Sequence, residues 1–196
     1  CGMSEPISLI VGLGNPGAEY ETTRHNAGFW FLEQIARQSG ASFRVESKFH
    51  GIVAKLQISG ESVWLLKPTT FMNRSGQSVA ALASYYKISP TSILVAHDEL
   101  DLPPGELRLK LGGGHAGHNG LRDITAHLGA GFHRLRIGIG RPGKPGPVVD
   151  YVLGTPGKMD RAAIENALDD ADRVIDQIVS GEMQKVMNRL HSRGKA

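Results

Sequence analysis

A single cysteine, at position 1, leaves this chain with no disulfide framework and no thiolate set for a metal. Aromatic residues make up only 6% of it, and no apolar run is long enough to cross a bilayer, so the sequence offers nothing for a membrane-embedded role. Neither sign of charge dominates: 22 basic residues stand against 19 acidic ones, a net +3 that allows a polyanionic partner without requiring one. There is no G-x-S-x-G elbow and no cysteine beside a histidine, which removes the familiar covalent acyl-enzyme nucleophiles. Internal repeats and low-complexity tracts are missing too. Cys1-Gly2 reads as an expression remnant ahead of a native Met3, with no cationic, apolar leader after it. A reducing, cytoplasmic setting is the expectation.

What the chain does have is 40% apolar residues over 196 positions, enough for one sizeable core, and 25 glycines. We read 1–196 as one domain. Ser8 to Val11 predicts a first strand, stopped by the glycines of 12–17. A polar segment follows, and a helix then runs from about Asn26 to Ser39-Gly40. Ile52–Ile58 and Val63–Leu66 flank Ser59-Gly60-Glu61 as a hairpin, and the loop at 67–76 leads into an alanine-rich helix through Tyr86. The apolar run from Ile93 to Ala96 reads as a buried strand that delivers His97-Asp98-Glu99 to its end.

Strict alternation over 106–111 puts Leu107, Leu109 and Leu111 on one face and Arg108 and Lys110 on the other. Asn119–Leu128 is a short helix, 134–139 an alternating strand, and Arg141–Val148 a surface loop. Asp160–Val179 reads as one long helix with Ile164, Leu168, Ala171, Ile175 and Ile178 in a stripe, followed by a last helix over 182–192. Strands interleaved with helices predict an α/β fold, a mixed sheet covered on both sides.

Gly12 to Gly17 matches the dinucleotide pattern G-x-G-x-x-G, but that motif needs a helix to begin among its glycines. Here Pro16 and a polar stretch intervene, so a turn presenting Asn15 is the better reading, and a nucleotide-cofactor enzyme is the rival. His97, His115 and His118 offer a weak metal set without helical spacing. Lys110 and Arg136 have a solvated sheet face as their bland reading, and Lys185 and Arg189 a solvated helix face. What remains is His25 in a polar stretch, Asp98 at a strand end, and asparagines 15, 73 and 119 in loops or at a helix start. A histidine with a carboxylate can activate water, and asparagine amides can hold an oxyanion or a peptide main chain. That set suits a hydrolase whose acyl part varies, with a non-catalytic RNA-binding module as a second rival.

Seven motifs then fall in order: GLGNPG at 12–17, TRHNAG at 23–28, KPTTFMNRSG at 67–76, HDELDLPPG at 97–105, GGGHAGHNG at 112–120, RLRIGIGRP at 134–142 and YVLG at 151–154. Together they closely resemble the bacterial peptidyl-tRNA hydrolase family, from about Leu9 to Gly154. The resemblance implies a monomeric, single-domain α/β fold, with a twisted mixed β-sheet sandwiched between α-helices and no metal or cofactor. It also implies cleavage of the ester between a peptide and the ribose at the 3′ end of tRNA, which recycles tRNA after premature ribosomal drop-off.

Position by position, the resemblance makes His25 the catalytic base and Asp98 the residue that stabilises its basic form. Asn15 matches the residue that separates N-blocked from free aminoacyl-tRNA. Tyr20, Phe71, Met72, Asn73 and Asn119 match substrate contacts at the acceptor end. Lys110 and Arg136 match a clamp on the tRNA 5′-phosphate. In this picture Asp98 fixes the His25 tautomer, and Asn73 or else Asn119 holds the developing oxyanion.

Overall fold

The computed structural model describes residues 4–192; Cys1-Gly2, read as a remnant, lie outside them. The chain runs β1 (Leu9–Gly12), α1 (Ala27–Ser39), β2 (Arg44–Glu46), β3 (Gly51–Ile58), β4 (Glu61–Pro68) and α2 (Ser75–Tyr85). It continues through β5 (Ile93–Glu99), β6 (Leu107–Leu111), α3 (Asn119–Leu128), β7 (His133–Gly138) and α4 (Val148–Val152). Helices α5 (Lys158–Arg173), α6 (Ile175–Val179) and α7 (Met183–Leu190) follow.

One seven-stranded sheet has the order β2-β3-β4-β1-β5-β7-β6. Its centre, β4-β1-β5-β7, is parallel, and antiparallel pairings flank it at both edges. The parallel strands β1 and β5 are fully apolar in Leu9–Val11 and Ile93–Ala96, as strands buried on both faces must be. One face carries Ile10, Leu94, Leu135 and Ile137 into a core with residues of α1, α5, α6 and α7. The other carries Leu9, Val11, Ile93 and Val95 into a core with α2 and α3. The mixed α/β sandwich expected from the sequence is therefore present. Among the described residues no helix is long and apolar enough to cross a membrane.

Local chemistry sets several boundaries as expected. Ser59 and Gly60, at φ 51° and 79°, make the tight two-residue turn between β3 and β4. Other expectations need correcting. The long helix read over 160–179 breaks at Val174, which leaves helical geometry at φ −110°, ψ 20°. The break brings Val174 and Val179 into the core and leaves Ile175, one of the predicted stripe, only partly buried. Leu111 is not buried with Leu107 and Leu109: it is the last residue of an edge strand and is 53% exposed. Strand β2 and helix α4 were not anticipated.

The packing at one glycine decides where the site forms. A Cβ on Gly28 would stand 2.4 Å from the carbonyl oxygen of Ala96 and 2.5 Å from the backbone nitrogen of Leu13. Only glycine lets the first turn of α1 sit directly on β1 and β5. That contact brings His25, just before α1, to the carboxyl end of β5, where Asp98 follows Ala96. The crevice outside the carboxyl ends of parallel strands is where open α/β sheets commonly bind ligands.

Candidate active site

His25 stands on a single 3-10 turn, Arg24–Asn26, immediately ahead of α1. Its Nδ1 lies 2.8 Å from Asp98 Oδ2. The other carboxylate oxygen, Oδ1, is 2.9 Å from His118 Nε2. His118 caps α3, and its Nδ1 accepts the backbone N–H of Leu121 at 3.3 Å, which places its proton on Nε2. His118 therefore donates to Asp98. His25 donates to the second oxygen through Nδ1–H, which leaves its Nε2 lone pair with no hydrogen bond among the described residues.

Burial opposes charge on Asp98, yet the two imidazoles facing it hold its carboxyl well below the usual carboxylate range. Burial likewise works against a charged His25, but the Asp98 carboxylate outweighs it and lifts the His25 pKa above the ordinary 6.5. His97, on the other side of the strand, is fully buried, with Nδ1 bonded to the Asp98 carbonyl oxygen at 2.9 Å. Burial, with the His118 imidazole beside it, pushes His97 down to about 3, so it stays neutral.

His25, Asp98 and His118 line a cleft of about 450 Å³ together with Asn119 and Arg134. Its opposite wall is apolar, made by Leu100 and by Val148, Val149 and Val152 of α4. The ligating atoms of His25, Asp98 and His118 lie within 4.8 Å of one another, close enough to be considered for a metal. Both imidazole nitrogens that face the carboxylate are engaged as donors to it, so the trio is satisfied as a hydrogen-bonded set. It also differs from the weak His97, His115 and His118 set of the sequence. His97 Nδ1 is taken by a carbonyl, and His115 Nδ1 accepts the Gly117 N–H at 3.1 Å.

Asn15 sits beside this cleft, not in its lining. It borders a smaller one of about 170 Å³ with Asn26, Phe29 and Lys67. Asn26 holds it through reciprocal bonds, Oδ1 accepting the Asn15 N–H at 2.9 Å and Nδ2 donating to the Asn15 carbonyl at 3.0 Å. Asn15 Oδ1 in turn accepts the Met72 N–H at 2.8 Å, so only its Nδ2 remains to donate. Met72 is thus buried beneath the site, 5% exposed, instead of presenting its side chain outward. The loop after it is tied down by Ser75 Oγ to the Met72 carbonyl and by Gly76 N–H to Asp123 Oδ2.

Phe71 is 60% exposed on that loop, Asn73 is exposed beside it, and Tyr20 is half-buried on another 3-10 turn. Of the two asparagines considered for the oxyanion, Asn119 lines the His25 cleft and Asn73 does not. The glycine pattern at 12–17 opens a 3-10 turn at Ala18–Tyr20, and α1 begins only at Ala27, so no helix begins among those glycines as the dinucleotide motif requires. Lys110 is exposed on β6, and Arg136 on β7 is ion-paired with Glu99 at 2.8 Å.

Sequence reasoning missed two members of the site. Asn26 stands where an asparagine normally caps a helix, but its amide makes no cap bond and is spent on Asn15. His118 ends a glycine loop, a place that suggests mobility. Its alignment with the start of α3, three residues before Leu121, was the available clue.

The family model described as peptidyl-tRNA hydrolase matches residues 9–196. The peptidyl-tRNA hydrolase of Coxiella burnetii is 58% identical over 191 residues, 97% of this chain and 100% of that one. That of Neisseria meningitidis is 55% identical over 192 residues, again 97% of this chain and 100% of its own length. The crystal structure of the Acinetobacter baumannii peptidyl-tRNA hydrolase superposes with a TM-score of 0.94 at 51% identity, covering 100% of both chains.

Proposed function

The chain belongs to the peptidyl-tRNA hydrolase family, and from that footing we propose that His25 is the base of its ester hydrolysis, with Asp98 and His118 holding it in the working tautomer. As a family member the protein is a hydrolase of peptidyl-tRNA. The observation that carries the assignment is the 2.8 Å contact from His25 Nδ1 to Asp98, which leaves Nε2 in the cleft lining without a partner among the described residues.

Water held by Nε2 attacks the carbonyl that joins the peptide to the terminal ribose. As the new C–O bond forms, its proton passes to Nε2 and the imidazolium is stabilised by the Asp98 charge. The oxyanion is held by the Asn119 amide, which we prefer to Asn73 because it lines the cleft. Collapse breaks the ester bond, and His25 returns the proton to the ribose oxygen. The apolar wall of Leu100 and α4 suits acyl side chains of varied sequence, while Tyr20 and Phe71 offer rings to the terminal nucleotide, with Asn73 beside them. We read the protein as a monomer of one domain acting in the bacterial cytoplasm, where its substrate arises.

His25→Ala tests the central assignment: turnover should fall about 10²- to 10⁴-fold while circular dichroism shows a folded protein. A folded variant with near-normal turnover overturns it. Asn15 supports a second element. With Oδ1 committed to Met72, its free N–H groups can pair with an amide carbonyl, which a peptidyl group has and a free aminoacyl group lacks. Asn15→Asp keeps the acceptor and removes the donor. It should narrow the preference for N-acetylated over free aminoacyl-tRNA about tenfold, and an unaltered ratio counts against the role.

A further inference from the structure

Two neighbours on one 3-10 turn reach to different walls of the cleft. His25 turns to Asp98, while Arg24 turns to α4, whose Val148, Val149 and Val152 make the apolar side. The Arg24 guanidinium is not spent on a carboxylate among the described residues. Its Nη1 donates to the Tyr151 carbonyl at 2.9 Å, and its Cζ lies 4.0 Å from the centre of the Tyr151 ring. A guanidinium suits both tasks, since its edge donates while its face stacks.

The backbone closes the same contact. Arg24 N–H donates to the Gly154 carbonyl at 3.0 Å, and the hydroxyls of Thr22 and Thr155 share a bond at 2.9 Å. Gly154 leaves the room, for a Cβ there would stand 2.9 Å from Arg24 Nη1. Tyr151 is fixed in turn by its hydroxyl, which donates to the Ile139 carbonyl at 2.7 Å.

This contact has a cost. Arg24 Nε is buried and has no acceptor among the described residues, so its N–H gives up water and receives nothing. A residue that only filled this space could be apolar and avoid that loss. What the contact secures is the position of α4. Val152 packs into the core, whereas Val148 and Val149 stay exposed in the cleft lining. The segment ahead of them, 141–147, is rich in proline and glycine, so α4 is anchored from its C-terminal end, where Arg24 grips it.

We infer that Arg24 is a positioning residue that fixes the distance between the base and the apolar wall, and so determines how the side chain of the esterified amino acid is held. The inference rests on reading His25 as the base and this cleft as the acyl site. An apolar side chain touches the wall equally in the ground state and the transition state, so releasing the wall raises KM and spares kcat. A glycyl ester has no side chain to lose.

The test compares one tRNA charged with N-acetylglycine or with N-acetylleucine. In Arg24→Met, KM for the leucyl ester should rise about tenfold, the scale of a few apolar contacts, while the glycyl ester changes less than about twofold. The kcat values and the acid limb of kcat/KM should stay in place on both, because the His25–Asp98 pair is untouched. Arg24→Lys keeps one donor for the Tyr151 carbonyl but not the flat face, and its leucyl KM should rise about threefold. The lysine variant carries the test if the methionine variant does not fold.

Equal losses on both esters, a fall in kcat or a shifted acid limb would mean that Arg24 acts on the His25 turn and not on the wall, which overturns the proposal. Unchanged kinetics in a folded variant overturns it as well. Failure of the wild type to cleave either ester would instead remove the functional reading itself, which separates the two failures.

Discussion

Asp98 and Glu99 are consecutive carboxylates at the end of β5, and the alternation of the strand sends them to opposite faces of the sheet. Asp98 turns toward the start of α1 and receives one imidazole on each oxygen, His25 at 2.8 Å and His118 at 2.9 Å. Glu99 turns toward β7 and receives a guanidinium, Arg136, at 2.8 Å. A carboxylate shared by two imidazoles orients them and remains available to stabilise a proton gained by His25. A carboxylate paired with an arginine removes a charge from a surface. Identical chemistry one residue apart thus gives a reactive corner on one side and a selectively neutralised basic face on the other.

Removing the charge from Asp98 should show the largest difference between the two. In Asp98→Asn the amide oxygen can accept from only one imidazole, and His118 must keep its proton on Nε2 because Nδ1 accepts Leu121 N–H. The asparagine amine then faces His25 Nδ1 and draws the His25 proton to Nε2, the nitrogen that has to act as base. Turnover should fall about 10²- to 10⁴-fold in a folded protein. The pH profile gives the sign independently. Because Asp98 raises the His25 pKa, the wild-type acid limb of kcat/KM lies above pH 6.5. With the carboxylate gone, burial alone acts on the imidazole and the residual limb should move to lower pH. A limb that stays in place means His25 is not the group that titrates.

How much of this was legible in the sequence differs between the two faces. The apolar runs at Leu9–Val11 and Ile93–Ala96 announce buried strands, and the α3 boundaries at Asn119 and Leu128 were read correctly because polarity and periodicity change together there. His25 and Asp98 were legible as ingredients. Their contact spans 73 positions and depends on Gly28 meeting Ala96, which no local pattern encodes. Strand β2 is three residues with Val45 72% exposed, so it carries no apolar alternation to detect. Helix α4 is a single five-residue segment after a Pro/Gly-rich loop. On the basic face, alternation put Arg134 and Arg136 together but could not tell which meets a carboxylate, since Glu99 reaches across from a different strand.

The smallest change should come from Glu99→Gln, and its size tests whether the two faces are separate. The Glu99 and Arg136 side chains are 12% and 23% exposed, so the pair is partly screened, and losing it should cost no more than about 1 kcal/mol in a denaturant titration. Glu99 also accepts the Asp101 N–H at 3.2 Å, a bond that glutamine can keep through its oxygen. The freed Arg136 adds positive charge beside Lys110, on the face that the family resemblance gives to the tRNA 5′-phosphate. KM for peptidyl-tRNA at low salt should therefore fall less than about threefold, and the salt slope should steepen by less than the roughly 0.7–0.9 of one full contact. A gain of a whole contact would make Arg136 a phosphate ligand held in check by Glu99. A loss of turnover approaching that of Asp98→Asn would mean that the Glu99 charge is felt at His25, and the division between the two sides of β5 would fail.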